Sequence, residues 1–395
     1  MNKKISLGLA ISLVFLAVAL AVTVTMMVSM KVYNGIVKDV AERSGIHSTV
    51  SDIDDLVRQH YFGELNENLL KTMISDGYIE GIGDRYSYYM TSAQYAEYKE
   101  EEKGNKSGIG VIAVYDSQNN NIYISEVSEG SPAQLQGIAK GDVITAVDSV
   151  RVTASNYEEL LAKLDGEKLT NVQVDFIHDG VSNTVSVARG YEAQTVYYSI
   201  NNNVGYIKIT AFYSTTAQQL TEALDYMSDK GVASVIFDVR NNDTGLISNV
   251  VECIDILVPI AAEGTTALAT AVDKDGKVIE TFTSDSDSSS FAMSVLVNGK
   301  TSGAAELFAC DLRDFGMAQL VGDKTAGNGT MQKVFELDDG SAIALTVAKI
   351  IPYKSESFNS TGLEPDYPVE LTAEQYSRLE MLSFEEDAQY KKALS

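Results

Sequence analysis

The sequence predicts a mixed α/β protein that is built from several consecutive units. Three observations lead to this prediction. Residues 204–322 alternate strand-like apolar runs with helix-like periodic segments, which is typical of a mostly parallel sheet covered by helices. Residues 104–190 hold short strand-like runs between Gly and Asn turns, which indicates a smaller β unit. Residues 5–30 carry no charged side chain.

The composition is that of a folded, acidic protein. Apolar residues make up 45% of the 395 residues and charged residues 22%, and the formal net charge is −25. A nucleic-acid binder needs clustered Lys and Arg to displace counterions from phosphates, and the sequence has no such cluster. Nucleic acid is therefore not an expected partner. The chain is also too long for one ordinary core, so two or three domains are expected.

The N-terminal apolar run predicts a membrane anchor. It contains 26 residues, and about 20 suffice to span a bilayer as a helix. Residues 17–19 resemble a signal-peptide cleavage site, but the apolar run continues past them, which favours an uncleaved transmembrane helix within residues 1–35. Lys3 and Lys4 precede the run, so we expect a single-pass cell-membrane protein with the bulk of the chain outside the cytoplasm.

Residues 36–103 predict a small helical unit between the membrane and the rest of the chain. Apolar residues at helical spacing indicate helices over 50–61, 69–79 and 93–101, and a tyrosine-rich turn lies at 83–89.

Residues 104–190 resemble a PDZ domain. Strands are predicted over 110–114, 122–124, 143–147 and 172–176, and a helix over 157–164. Four motifs carry the resemblance in order: Ser107-Gly108-Ile109-Gly110-Val111, Gly130-Ser131-Pro132-Ala133, Gly137-Ile138 and Gly141-Asp142-Val143-Ile144. The resemblance implies a domain that binds the C-terminal tails of proteins or peptides.

Strand addition is the physical basis of such binding. A glycine-flanked turn over Gly108, Ile109, Gly110 and Val111 can present consecutive backbone N–H groups to a terminal carboxylate, while the next strand pairs with the peptide. The plainer interpretation is that the two glycines only relieve strain in a turn.

Residues 191–395 predict the large α/β unit. Strands are expected over 205–209, 235–239, 294–297 and 319–322, with helices over 217–228, 246–257 and 304–315 between them. Runs at 334–337 and 342–351 predict an antiparallel edge of the same sheet.

This unit resembles the catalytic domain of the C-terminal processing (tail-specific) serine peptidases. The resemblance rests on motifs in the family's order: residues 205–210, 237–242, 297–309, 322–332 and 362–366. The family uses a serine nucleophile whose proton passes to a lysine, and residues 191–395 contain no histidine, which excludes a Ser-His-Asp triad within them. When the nucleophile loop is aligned on Glu306 and the family's Gly-Lys-Gly motif on residues 327–329, however, the serine falls on Gly303 and the lysine on Asn328.

The resemblance also assigns supporting residues. Gln332 matches a glutamine that orients the lysine, and Asp314 matches an acidic position in the helix after the nucleophile. The oxyanion hole is expected from the backbone N–H groups of Gly245 and Ala304. The turn before Gly245 departs from the family, since Asp243 replaces a proline and Thr244 a glycine. We expect these side chains to fill the cleft or to oppose a positive φ.

Surrogate catalytic groups form the alternative. A register shift of one residue places Ser302 at the nucleophile position, and Lys324 is a nearby amine. A one-residue shift at the start of a helix turns a side chain by about 100°, which disfavours this alternative.

The sequence therefore leaves three hypotheses. The chain is a substituted, inactive peptidase homologue that binds tails, an active serine endopeptidase that uses Ser302, or a scaffold that binds no peptide. His47, His60 and His178 are scattered and no Cys/His cluster occurs, so neither a metal nor a cofactor is predicted. Cys253 and Cys310 are expected to be buried thiols, although spacing alone leaves a disulfide open.

Overall fold

A computed structural model describes the backbone of residues 7–259, 266–284 and 291–394, and the side chains of all of these except 7–19 and 32–43. The chain divides into two compact units at Met73 and Ile74.

The first unit is dominated by one helix, α1 (Leu7–His60), and contains the start of α2 (Glu67–Glu80). The predicted boundary between residues 35 and 36 falls inside α1, because no proline interrupts the helix-forming residues that follow the apolar run. Part of the predicted membrane segment, residues 5 and 6 together with the side chains of 7–19, lies outside the described residues. In the part of the chain that the structure describes, no helix is long and apolar enough to cross a membrane.

The second unit begins inside α2, and the next elements are β1 (Tyr88–Met90) and α3 (Ser92–Glu102). The side chain of Thr91 accepts the backbone N–H of Gln94, and the Gln94 side chain accepts the N–H of Thr91. This reciprocal capping fixes the start of α3. The tyrosine-rich segment was expected to be a turn, but its last two residues form part of β1, which pairs with a strand near the C-terminus.

A small β domain follows. Its elements are β2 (Asn105–Lys106), β3 (Val111–Asp116), β4 (Asn121–Val127), α4 (Pro132–Leu135), β5 (Val143–Val147), β6 (Val150–Arg151), α5 (Tyr157–Asp165), β7 (Asn171–His178), β8 (Val181–Ala188) and β9 (Tyr191–Glu192). Strands β3-β4-β5-β7-β8 form one antiparallel sheet in that order, and β6 pairs with β5. Strand β3 therefore lies at an edge of the sheet, beside α5.

The remaining elements form the large α/β domain. They are β10 (Val196–Asn201), β11 (Val204–Ile209), α6 (Thr216–Asp229), β12 (Ser234–Asp238), α7 (Ile247–Asp255), β13 (Thr266–Val272), β14 (Val278–Ser284), β15 (Ala292–Val297), α8 (Ala304–Asp314), β16 (Ala318–Gly322), β17 (Thr330–Glu336), β18 (Ala342–Pro352), β19 (Tyr367–Pro368), α9 (Ala373–Ser377), a 3-10 turn (Leu379–Met381) and α10 (Ala388–Ala393).

The main sheet has the order β10-β11-β12-β15-β16-β19, and β11, β12, β15, β16 and β19 are parallel. Alternate residues of its central strands point to opposite faces. Phe237 and Val295 pack with α6, α7 and α8 on one face, whereas Ile236 and Leu296 pack with Tyr390 of α10 on the other. The carboxyl ends of the parallel strands meet at one edge, which brings together the loops that follow β12, β15 and β16.

The predicted antiparallel edge of the main sheet is wrong. Strands β10 and β19 occupy the two edges of that sheet, and β17 and β18 instead join β1, β13 and β14 in a separate five-stranded sheet. The cause is the length of β18, whose 11 residues pair with β17 on one side and with β1 and β13 in succession on the other.

Candidate active site and peptide-binding groove

Gly303 ends the loop between β15 and α8. Its backbone has φ 62° and ψ −114°, a conformation that glycine adopts readily and other residues adopt with strain. A Cβ built on Gly303 lies 3.3 Å from Nδ2 of Asn328. The fold thus brings the two predicted catalytic positions together, although neither carries the side chain that the family reaction uses.

Glu306 ties the two catalytic loops to each other. Its buried carboxylate accepts backbone N–H groups from Gly303 at 3.1 Å, Gly327 at 2.8 Å and Asn328 at 2.7 Å, and the Thr325 hydroxyl at 2.5 Å. Burial raises the pKa of the Glu306 carboxyl, while these four donors act in the opposite direction. Sequence reasoning used this glutamate only to align the loop, although a charged residue among the apolar positions of α8 was the available signal for its role.

Asn328 is held by a short chain of polar side chains. Its Oδ1 accepts the hydroxyl of Thr330 at 2.7 Å. The amide nitrogen of Gln332 donates to the Thr330 hydroxyl at 2.8 Å and to Thr346 at 3.2 Å. Gln332 therefore reaches residue 328 through Thr330, in a position consistent with the orienting role that the resemblance implied.

The predicted oxyanion donors are both available. Among the described residues, no protein acceptor takes the backbone N–H of Gly245 or of Ala304. Gly245 has φ 135°, and a Cβ there would lie 2.7 Å from the carbonyl oxygen of Phe212. Asp243 and Thr244, which were expected to fill the cleft or to oppose a positive φ, have exposed side chains that bond to each other at 3.0 Å.

The surrogate groups are not brought together by any contact. The ammonium of Lys324 pairs with the carboxylate of Glu364 at 2.6 Å, and both side chains are exposed. In the part of the chain that the structure describes, the Ser302 hydroxyl has no hydrogen-bond partner, while its N–H donates to Asn242 at 2.9 Å.

Asp314 has a structural partner rather than a catalytic one. Its carboxylate accepts the N–H of Lys354 at 3.0 Å and both the N–H and the hydroxyl of Ser355 at 2.6 Å. It therefore fixes the loop after β18 to the end of α8. Both cysteines are buried and free.

The PDZ-like loop before β3 is tightly packed. Gly108 and Gly110 have φ 94° and 85°, and a Cβ on Gly110 would lie 2.3 Å from that of Ser131. Gly108, Ile109 and Gly110 are buried residues, and within the described residues their backbone N–H groups donate to no protein acceptor. Buried donors without partners are rare in native proteins, so this turn is suited to an acceptor from outside the chain.

Comparison with known proteins agrees with this geometry. The model of peptidase family S41 matches residues 203–369, and that of the PDZ domain matches residues 98–177. The carboxy-terminal processing protease CtpA of Bacillus subtilis is 31% identical over 85% of this chain and 70% of its own length. The chain belongs to peptidase family S41. A CtpA-like serine protease of Staphylococcus saprophyticus is 27% identical over 85% of this chain and 67% of its own length.

The fold of this S41 homologue is also seen in a crystal structure. An S41 protease from Bacteroides fragilis matches with a TM-score of 0.58 at 19% identity, covering 87% of this chain and 95% of that one. The family models and the relatives confirm the predicted family and the PDZ domain, and this structure agrees with the peptidase-like core.

Sequence reasoning missed a second polar cluster at the same sheet edge. Glu380, in the 3-10 turn, pairs with the largely buried Lys208 and accepts the side-chain amide of Asn241 at 3.0 Å. Asn241 in turn exchanges hydrogen bonds with Asn298 at 2.9 and 3.1 Å. The C-terminal segment thus fixes the start of both the oxyanion turn and the nucleophile loop. No sequence pattern links residue 380 to residue 241.

Proposed function

We propose that this chain is a proteolytically inactive C-terminal processing protease homologue that binds the C-terminal tails of proteins through its PDZ domain. The single observation that carries the proposal is the pairing of Gly303 with Asn328. The family's catalytic loops are present, and the Glu306 carboxylate joins them beside the two oxyanion donors. The position that they surround, residue 303, has no nucleophilic side chain.

The chemistry follows from the two side chains. Glycine has no hydroxyl to attack a peptide carbonyl, and the amide nitrogen of Asn328 has no basic lone pair to accept a proton. The loss of either group removes covalent catalysis by the family route. The paired state of Lys324 gives no support to the alternative in which Ser302 acts with a neighbouring amine.

Tail binding is supported by the loop before β3. Three backbone N–H groups of this loop have no acceptor within the described residues, and β3 is an edge strand that can pair with an extended peptide. A free carboxylate would receive charge-assisted hydrogen bonds from this turn. The uncharged run at residues 5–30 supports the further proposal that the protein is anchored in the cell membrane and meets its partners outside the cytoplasm.

The test of inactivity incubates the full chain, purified in detergent, with an unfolded protein that ends in a free apolar residue. We expect no cleavage fragments. Specific cleavage that disappears in the Ser302→Ala variant would contradict the proposal and establish the alternative, a serine endopeptidase that uses Ser302.

The test of binding compares peptides that end in a free carboxylate with the same peptides amidated. Amidation should weaken binding about tenfold or more, since charge-assisted bonds are lost. Gly110→Val should also abolish binding by collision with Ser131, whereas Gly180→Val is the control, because Gly180 has φ 77° but open space around it. Equal affinity for both peptides would leave only a scaffold role.

A further inference from the structure

A cavity of about 430 Å³ lies between the PDZ domain and the large α/β domain. Strand β4 forms one wall, strands β10 and β11 form the second, and residues 379–387, which include the 3-10 turn, form the third. The volume is in the range of small-molecule sites, which are common at domain interfaces. Residues 245, 303, 304 and 328 do not line the cavity, so it is separate from the candidate active site.

The two domains make polar contacts at both ends of β4. After its last residue, the buried hydroxyls of Ser128 and Tyr197 lie 3.1 Å apart. Before its first residue, the side-chain amide of Gln118 donates to the carboxylate of Glu374 at 3.3 Å. A strand of seven residues is about 23 Å long, at about 3.3 Å per residue. The cavity therefore lies along the strand, between two points at which the domains are joined.

The charged side chains of the cavity leave an excess of negative charge. Three cations and five carboxylates line it, which leaves two negative charges in excess. Each cation has a carboxylate partner, whereas the exposed carboxylate of Glu385 has no hydrogen-bond or ion-pair partner in the part of the chain that the structure describes. An anion would therefore be repelled here and a cation attracted. The pairs are Lys140 with Glu126, Lys208 with Glu380, and Arg240 with both Asp238 and Asp387.

Aromatic rings supply much of the remaining wall. The ring of Tyr198 is 42% exposed and lies beside that of Tyr226, with centroids 5.2 Å apart. Tyr206 meets Phe384 edge to face at 5.1 Å, and its hydroxyl donates to Asp238 at 2.7 Å. The faces of tyrosine rings attract ammonium and guanidinium groups. The rings and the excess of carboxylates therefore favour the same class of ligand.

We propose that this cavity binds a small organic cation that carries an ammonium or guanidinium group. The Glu385 carboxylate attracts the cation without the loss of an existing ion pair, and the tyrosine rings cover its alkyl chain. Because the walls belong to both domains, the bound cation holds the PDZ domain to the large domain and raises the unfolding temperature. The same cationic groups occur in free diamines and in the arginine side chains of proteins, and the experiment separates these two sources.

The experiment measures binding to the full chain by calorimetric titration at constant ionic strength. Agmatine, which has a guanidinium and an ammonium group, represents the free amines. A short peptide with one arginine and with both ends blocked represents a protein side chain, and its lack of a terminal carboxylate keeps it out of the PDZ groove. Glutarate, a dianion, is the control of opposite charge. We expect at least one of the two cationic probes to bind with a Kd of about 1 mM or lower, and glutarate not to bind. The tighter cationic probe identifies the source.

Two pairs of variants test whether the cation lies in the cavity. Glu385→Gln should weaken binding about fivefold, whereas Glu370→Gln, which removes an exposed carboxylate outside the cavity, should leave it unchanged. Tyr198→Leu should weaken binding about threefold, and Tyr198→Phe, which keeps the ring, should weaken it less. Calorimetric unfolding reports whether each variant is folded.

Three results would overturn the proposal. The first is the absence of binding by both cationic probes at about 10 mM. The second is equal weakening by Glu385→Gln and Glu370→Gln, since this would show attraction to the acidic surface as a whole. The third is tighter binding of glutarate than of either cation.

Discussion

Gly303→Ser is expected to destabilise the protein even though it restores the hydroxyl of the family's nucleophile. The backbone at this position has φ 62° and ψ −114°. A residue with a Cβ that is held in such a conformation costs about 1–3 kcal/mol. The added Cβ also lies 3.3 Å from the Asn328 amide, which is a tight contact that a small shift can relieve. We therefore expect a loss of about 1–3 kcal/mol, dominated by the backbone.

The measurement is differential scanning calorimetry, since the chain contains no tryptophan for fluorescence. Gly299→Ser is the matched control in the same loop, because Gly299 has no left-handed φ and its nearest contact is at 3.7 Å. Gly303→Ala should lose as much stability as Gly303→Ser. If Gly303→Ser is as stable as the control, then the loop does not hold residue 303 in a strained conformation.

The same substitution also leads to a prediction about proteolytic activity. The single variants Gly303→Ser and Asn328→Lys should remain inactive, because each restores only one member of the pair. The double variant should cleave unfolded proteins at least weakly, since Gln332 and the N–H of Ala304 remain in place. A folded but inert double variant would show that the turn at Asp243 and Thr244 blocks catalysis as well.

Three further predictions concern stability. Glu306→Gln should destabilise the protein by about 1–3 kcal/mol, because an amide nitrogen replaces one of the two oxygens that accept four donors. A change in unfolding free energy below about 0.5 kcal/mol, measured by calorimetry, would show that Glu306 does not hold the two loops together. Gly245→Ala should cost about 3 kcal/mol or more, since its Cβ would collide with the backbone of Phe212, and normal expression with an unchanged unfolding temperature would contradict this. The Nδ1–H of His178 donates to the carboxylate of Asp142, which raises the pKa of His178. This pair should therefore stabilise the fold below about pH 6.5 and lose its effect as the pH rises through the raised value. Unfolding temperatures of the unsubstituted chain should therefore fall more between pH 6 and pH 8 than those of His178→Asn, and parallel pH profiles would refute the linkage.

Local patterns predicted much of the main sheet. Strands β12 and β15 are short apolar runs, and helix α7, which follows β12, has apolar residues at helical spacing. These elements were therefore predicted within a few residues. Strands β13 and β14 were missed. The first is rich in alanine, and the second is mostly exposed and polar, so neither has the composition of a buried strand.

Part of the candidate site was predicted from the sequence and part was missed. The loop motifs placed residues 303 and 328 side by side, because the family's alignment carries that information. The pairing of Glu380 with Asn241 joins residues that are 139 positions apart, and it depends on where the C-terminal segment packs. The sheet that β17 and β18 form was missed for the same reason, since the choice of partner strands is a long-range property that no local pattern contains.

The most direct test of the account is the mass of a bound peptide. The full chain is incubated overnight with a small excess of an unstructured peptide that ends in a free apolar residue, the complex is isolated by gel filtration, and the peptide in it is weighed by mass spectrometry. The account predicts that the peptide co-elutes with the protein and keeps its full mass, because the PDZ groove holds it and the Gly303–Asn328 site does not cut it. A shortened peptide, either in the complex or in the later fractions that hold the unbound peptide, would contradict the account. The absence of any bound peptide would contradict it as well.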